Sequence, residues 1–178
     1  MSEMLTTERL LLRSWRDTDL APFAAMNADP AVRRYFPGLQ TKVESDASVR
    51  RFRAHDEEHG FTFWAAELRE AGAFIGFVGM VVPGAYLPLP TGCVEIGWRL
   101  ATEHWGKGYA TEAARACVEY AFGELKVPAV AAITTVENQP SINVMKKLGM
   151  VYHGEFLHPK IDPTDPIAPH VAYVVERP

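Results

Sequence analysis

The sequence contains few cysteines, only Cys93 and Cys117 among 178 residues. Two cysteines cannot build a disulfide framework, and no pair of cysteines or histidines has the spacing of a zinc site. We therefore expect a reducing, cytoplasmic location and no bound metal. Both thiols suit strand-edge and core packing better than nucleophilic catalysis.

No charge sign dominates the chain, because 18 basic and 22 acidic residues are mixed along it and the formal net charge is -4. Without a basic face, the sequence predicts no nucleic-acid partner. The longest apolar stretch, residues 74–82, is far shorter than the ~20 residues of a membrane helix. Residues 1–7 lack the basic cluster and apolar run of an export signal, so we also expect no membrane partner.

The overall composition is typical of one folded domain spanning residues 1–178. Hydrophobic residues make up 48% of the chain and charged residues 22%, which supplies enough apolar material for a single core. Short runs of branched, aromatic and alternating apolar residues predict strands at residues 7–15, 61–68, 74–82, 93–101, 129–136, 151–157 and 171–176. The sequence therefore favours a mixed sheet flanked by helices.

Capping residues and apolar periodicity place the predicted helices. Asp17 is the expected N-cap of the first helix. Thr41 and Glu44 have capping-box spacing at the start of the second. Apolar residues recur at helical spacing over residues 110–125, and Asn138 is the expected N-cap of the last helix.

Residues 105–114 (WGKGYATEAA) place two glycines between a predicted strand and the longest apolar helical pattern. Gly106 and Gly108 allow a tight turn and a close approach to a ligand, so the first free N–H groups of the helix can bind a phosphate. Lys107 can neutralise part of a diphosphate. A nicotinamide or flavin dinucleotide fits poorly, because Thr111 breaks the G-x-G-x-x-G pattern. A purely structural turn is the other alternative.

Three segments in this order resemble the GNAT acyltransferases, especially their RimJ/RimL-type protein N-acetyltransferase branch: TERLLLRSWRDTDL, VEIGWRLATEHWGKGYATEA and NQPSINVMKKLGM. The resemblance covers nearly the whole chain. It implies an α/β (α+β) fold with a mixed, mostly antiparallel seven-stranded sheet, in which the fourth and fifth strands splay apart. It also implies direct transfer of an acetyl group from acetyl-CoA to an amine.

The resemblance assigns the glycine turn to the diphosphate of coenzyme A, through Gly106, Lys107, Gly108, Tyr109, Ala110 and Thr111. In such proteins the pantetheine arm lies in the splay, and here it would pair with the backbone of Trp98, Arg99 and Leu100. A backbone donor there polarises the thioester carbonyl. Trp105 departs from the family pattern, because many relatives carry Gln or Arg at that position.

The last predicted helix follows the family only in part. Asn138 matches a family asparagine near the pantetheine, although a simple helix cap explains it equally well. Asn143 and Lys147 would approach the adenosine end. Met145 stands where many relatives carry a tyrosine that protonates the departing thiolate, and methionine has no such proton. Ser141 is the nearest hydroxyl and can serve directly or through water, unless it only bonds its own backbone at the helix start.

The acceptor ammonium must lose a proton before its nitrogen attacks, so the site needs a base. Glu95 is the best candidate, because it lies on the strand before the glycine turn and opposite that strand's apolar row. The alternative is a structural glutamate that pairs with Arg99 or faces solvent. His104 and Glu137 are weaker candidates for the base.

The identity of the acceptor is open at this point. The resemblance suggests a protein N-terminal α-amine, a small-molecule amine is the alternative, and a module that senses acyl-CoA without turnover is a third interpretation. The family builds its acceptor pocket from loops, which here are residues 29–40, 83–92 and 159–169. The aromatic candidates to line it are Tyr35, Phe36 and Tyr86. A homodimer is also left open.

Overall fold

The structure, a computed structural model, describes residues 5–178. The segment at residues 1–7, for which we expect no export signal, therefore lies partly outside the described residues. The helices are α1 Leu20–Asn27, α2 Lys42–His59, α3 Tyr109–Gly123 and α4 Gln139–Lys147. The strands are β1 Leu5–Thr6, β2 Leu10–Arg13, β3 Phe63–Leu68, β4 Ala73–Val81, β5 Val94–Leu100, β6 Ala129–Thr135, β7 Val151–Leu157 and β8 Pro169–Glu176.

The strands form one sheet in the order β1-β2-β3-β4-β5-β6-β8-β7. Neighbouring strands are antiparallel except β5 and β6, which are parallel, so the mixed, mostly antiparallel α/β fold is confirmed. Within residues 5–178 the sheet has eight strands instead of the seven expected. The strand predicted at residues 7–15 is shorter, and the N–H and Oγ1 of Thr7 donate to the carbonyl of Leu10, which turns the chain between β1 and β2.

Alternation along the strands divides the apolar residues between two faces of the sheet. On one face, Val94, Ile96 and Leu100 of β5 belong to a core that includes residues of α3 and α4. We call this the α3/α4 face. On the opposite face, α1 and α2 cover the sheet through a second core that includes Trp15, Phe23, Val49 and Phe77. The β5 residues that alternate with the first set therefore point to this second side, the α1/α2 face.

The second helix begins as predicted. Oγ1 of Thr41 accepts the N–H of Glu44 at 3.3 Å, and the Glu44 carboxylate accepts the N–H of Thr41 at 2.7 Å. This reciprocal pair satisfies two N–H groups at the helix start. The helix ends where Gly60 takes a left-handed conformation, φ 77°.

The prediction that Asp17 caps the first helix is wrong. Residues 17–19 form a 3₁₀ turn, and α1 begins at Leu20. The carboxylate of Asp19, not that of Asp17, accepts the N–H of Arg16 at 2.8 Å. Asp19 is also paired with buried Arg13 of β2, six positions earlier, so an ion pair to the strand selects it over the neighbouring aspartate.

No helix within residues 5–178 is long and apolar enough to cross a lipid bilayer. Over the same part of the chain, no group of three or more His, Cys, Asp or Glu side chains is placed to hold a metal ion. Cys93 and Cys117 are buried free thiols, and burial raises the pKa of both. Their nucleophilic thiolate forms are therefore disfavoured.

Candidate active site

β5 and β6 pair only at their first residues. Val94 pairs with Val130 and Glu95 with Ala131, and no further register pair joins these strands among the described residues. Each strand has seven residues, so most of their length lies where they separate. The splay expected between the fourth and fifth predicted strands is thus present, and Glu95 stands where it begins.

The backbone of β5 faces this gap at alternate residues. The N–H of Ala101 donates to the carbonyl of Ile75 on β4 at 3.0 Å, so Arg99, two residues earlier, also directs its backbone groups to β4. Trp98 and Leu100 direct theirs into the gap. The indole Nε1 of Trp105 donates to the Leu100 carbonyl at 2.8 Å and occupies that acceptor.

The glycine turn has the backbone conformation that the sequence predicts. Gly106 and Gly108 both have positive φ, 70° and 80°, which favours glycine at each position. The N–H of Glu112 donates to the Gly108 carbonyl at 3.0 Å, the first turn of α3. The N–H groups before it are those a helix leaves without internal partners, on Tyr109, Ala110 and Thr111. Exposed Lys107 adds a cation beside these N–H groups.

Arg9 holds the glycine turn from the N-terminal segment, a contact that sequence reasoning missed. Its Nη1 donates to the Lys107 carbonyl at 3.0 Å, and its Nε pairs with Glu112 at 2.6 Å. Its guanidinium carbon lies 4.5 Å from the centre of the Tyr109 ring. Arg9 and Glu112 are 103 positions apart, and no local spacing rule connects residues at that separation.

Glu95 is a partly buried carboxyl on the α1/α2 face, opposite the side of the sheet that α3 covers. Burial raises its pKa to about 7. The pairing with Arg99 that we weighed as an alternative is not seen, because Arg99 donates from Nη1 to Oδ1 of Asn27 at 2.9 Å. Ion pairs within residues 5–178 do not include Glu95. A carboxyl with a pKa near 7 is balanced between accepting and releasing a proton at neutral pH.

The start of α4 lies just beyond β6, across the gap from β5. Oδ1 of Asn138 accepts the N–H of Ser141 at 3.3 Å, and its Nδ2 donates to Oγ1 of Thr134 at 2.8 Å. Asn138 is therefore the helix cap, with both ends of its amide engaged by the protein. Ser141 is partly buried, whereas Met145 is packed in the core with 1% of its surface exposed.

The other residues of α4 that we assigned to the cofactor lie on the surface. Asn143 is exposed and its Oδ1 accepts from Gln139 at 2.9 Å. Lys147 is exposed as well, and its carbonyl accepts from Arg115 of α3 at 3.1 Å, which joins the ends of the two helices. Both remain predictions for the adenosine end.

The two weaker candidates for the base differ in their surroundings. Glu137 is exposed at the start of α4. The ring of His104 lies 6.3 Å from that of Tyr109 beside the glycine turn, and its Nδ1 is buried and has no hydrogen-bond partner among the described residues. Neither stands where β5 and β6 separate, so Glu95 remains the better candidate.

Two of the three predicted acceptor loops meet. Lys160 places its Nζ 4.6 Å from the centre of the Tyr86 ring, and the ring of His158 lies 6.5 Å from the same ring. This contact joins residues 83–92 to residues 159–169. The third loop, residues 29–40, touches β5 through Phe36, whose ring lies 4.2 Å from the guanidinium carbon of Arg99.

Comparison with known proteins finds matches that cover most of the chain. A family model described as Acetyltransferase (GNAT) domain matches residues 9–151, which include the splay, the glycine turn and α4. The uncharacterized protein YkkB of Bacillus subtilis is 38% identical over 149 residues, 83% of this chain and 85% of that protein. The uncharacterized N-acetyltransferase YnaD of the same organism is 33% identical over 153 residues, 85% of each. A crystal structure of a GNAT-family acetyltransferase from Bacillus anthracis is 26% identical, with a TM-score of 0.81 over 98% of both chains.

Proposed function

Because the chain belongs to the GNAT acetyltransferase family, we propose that it transfers the acetyl group of acetyl-CoA to a protein N-terminal α-amine. The observation that carries this proposal is Glu95, a partly buried carboxyl at the point where β5 and β6 separate. The resemblance of three motifs to the RimJ/RimL-type branch supports a protein acceptor. A small-molecule amine is the alternative.

The gap and the glycine turn together fit coenzyme A. The N–H groups of Tyr109, Ala110 and Thr111 would bind the diphosphate, and Lys107 would neutralise part of its charge. The backbone of Trp98 would pair with the pantetheine arm between the strands. Bound in this way, acetyl-CoA supplies a thioester carbonyl carbon that an amine can attack.

Glu95 would take the proton that the acceptor has to lose. It lies on the α1/α2 face, so an amine approaching from that side meets the carboxylate near the start of the gap. The amine nitrogen forms a bond to the carbonyl carbon, its excess proton passes to the carboxylate, and the carbon–sulfur bond breaks. Burial makes Glu95 a stronger base than an exposed glutamate, because desolvation disfavours its charged form.

Ser141 is the proposed source of the proton for the departing thiolate. It lies at the start of α4, on the β6 side of the gap, and its position is fixed by the Asn138 cap. Water is the alternative source. Met145, buried in the core, has no proton to supply.

A thiol-release assay over peptides and small amines tests the proposal, with the mass of each acceptor measured after reaction. We expect release of coenzyme A thiol matched by a gain of one acetyl group on a peptide N-terminus. Acetylation of small amines alone would favour the alternative acceptor. Binding of acetyl-CoA without transfer to any amine would identify a sensor and overturn the proposal.

A further inference from the structure

Arg99 projects from β5 onto the α1/α2 face, the same face as Glu95. Its Nη1 donates to Asn27, while its Nε is buried and has no hydrogen-bond partner within residues 5–178. Nε and Nη2 form the edge of the guanidinium that binds a carboxylate through two parallel hydrogen bonds. Arg99 therefore keeps one donor of its carboxylate-binding edge unused inside the protein.

A second arginine from the neighbouring loop shares the surroundings of Arg99. The guanidinium carbons of Arg99 and Arg33 lie 4.2 and 4.9 Å from the centre of the Phe36 ring, so the two cations are within about a Debye length of each other, ~10 Å. Arg33 donates to the loop carbonyls of Gly38 and Pro37, and the charge of Glu44 acts on it from outside ion-pair distance. Burial, with Arg33 adding repulsion, lowers the pKa of Arg99 to about 9.

Buried Arg13 shows how this fold stabilises an arginine that has a structural role. Its Nη1 and Nη2 donate to Asp19 at 2.7 and 2.9 Å, and its Nε donates to Glu67 at 2.7 Å. Burial acts to lower the pKa of Arg13, but these hydrogen bonds outweigh it and raise the pKa. Within residues 5–178, no salt bridge provides Arg99 or Arg33 with a carboxylate.

We infer that Arg99, assisted by Arg33, binds a carboxylate of the acceptor, so that the enzyme prefers amines that carry an acidic group. The inference rests on the proposed function, because it assigns the class of acceptor at the same site. A partly buried cation without a counter-charge is destabilised by lost solvation, and an incoming carboxylate would offset that loss. Nε is out of solvent, so the carboxylate has to displace a covering group, and half-exposed Phe36 is the neighbouring loop side chain.

The distance along β5 limits the size of the acceptor. Glu95 and Arg99 are four residues apart on one strand, so their Cα atoms are separated by ~13 Å. An amine at Glu95 and a carboxylate at Arg99 then belong to one molecule of about the length of a short extended peptide. A polycation such as spermidine would place a second positive charge beside two arginines and should be a poor acceptor.

Matched tetrapeptide amides test this inference, with alanine at the other positions and either Asp or Asn at position two, three or four. The C-terminal amide ensures that only the Asp side chain carries a negative charge. For the wild type we expect kcat/KM for an Asp peptide to exceed that of its Asn counterpart by about 10-fold or more, the value of one charge-assisted hydrogen bond. The ratio should be largest at position three or four, and spermidine should be slowest.

Variants assign the preference to Arg99. Arg99→Gln should lower kcat/KM for the Asp peptide more than for the Asn peptide, so that their ratio falls to about 1. Arg99→Lys keeps the positive charge but loses the planar guanidinium edge that donates two parallel hydrogen bonds. It should give a ratio between those of the wild type and Arg99→Gln. Arg34→Gln removes an exposed charge from the same loop and should leave the wild-type ratio. Melting temperatures show whether each variant is folded.

Two outcomes overturn the inference while the proposed function stands: equal use of Asp and Asn peptides by the wild type, or an unchanged ratio in folded Arg99→Gln. If Arg99→Gln does not fold, the ratio of kcat/KM for Asp and Asn peptides in the wild type and in Arg99→Lys still tests the inference. Failure to acetylate any amine, with acetyl-CoA bound, overturns the proposed function and the inference together.

Discussion

Replacing Glu95 with Gln keeps the size of the side chain but removes the oxygen that accepts a proton. Because burial raises the pKa of Glu95 to about 7, about half of it is carboxylate at pH 7 and about a tenth at pH 6. If Glu95 is the base, the chemical step in the wild type accelerates as pH rises towards 7 and levels off above it. Glu95→Gln should slow that step by roughly 10²–10⁴-fold, the usual contribution of general-base catalysis, and remove this pH dependence.

Glu95→Gln should lower the rate of the chemical step but raise the stability of the folded protein. The pKa of Glu95 in the folded protein lies above that of a free glutamate, ~4.3. At any pH between these two pKa values, the folded state therefore binds more protons at Glu95 than the unfolded state does. The free energy of unfolding of the wild type should therefore fall as pH rises from ~4.3 to ~7, by at most about 4 kcal/mol. Glu95→Gln cannot ionise, so at pH 8 it should melt at a higher temperature than the wild type.

Lost activity together with gained stability would separate a catalytic role from a folding defect. The assay is single-turnover acetyl transfer at saturating acetyl-CoA, from pH 5.5 to 8.5, with melting curves at both ends of the range. Glu137→Gln is the matched control, because that glutamate is exposed and should affect neither quantity. Acceptors of different amine pKa separate their own ionisation from that of the enzyme. Near-wild-type transfer with an unaltered acidic limb in folded Glu95→Gln would refute the role of Glu95.

Substitutions at three further positions test the cosubstrate site and the proton donor. Gly108→Glu should abolish the rise in melting temperature that acetyl-CoA produces. Gly108→Ala carries the same positive-φ strain without the charge and should reduce that rise less. Equal shifts in melting temperature in both variants would argue against a phosphate at the turn. Arg9→Gln should weaken acetyl-CoA binding, measured by calorimetry, by about 3–30-fold, because the hydrogen bond to Lys107 is lost. An unchanged affinity would limit Arg9 to a structural role. Ser141→Ala should slow transfer modestly with acetyl-CoA affinity intact; an unchanged rate where chemistry is limiting would make water the donor.

Local patterns predicted those parts of the fold that depend on neighbouring residues. The Thr41–Glu44 capping box, the Asn138 cap and the positive-φ glycines at the turn all depend on interactions within a few positions. Alternation along β5 likewise placed Glu95 opposite the apolar row. The same reasoning was wrong for Asp17, because the ion pair between Asp19 and Arg13 crosses from helix to strand and no local rule contains it.

The sequence by itself therefore determined most of the elements, the glycine turn and the side of β5 on which Glu95 lies. These follow from short-range sterics, hydrogen bonding and the period of each element. Only the tertiary structure decided how the charged residues are paired. It placed Arg9 against Lys107 and Glu112 and supplied Arg13 with two carboxylates. In the part of the chain that the structure describes, it gave Glu95 and Arg99 no ionic partner. Pairing and burial depend on which distant segments meet, and they set the pKa values on which the proposed chemistry depends.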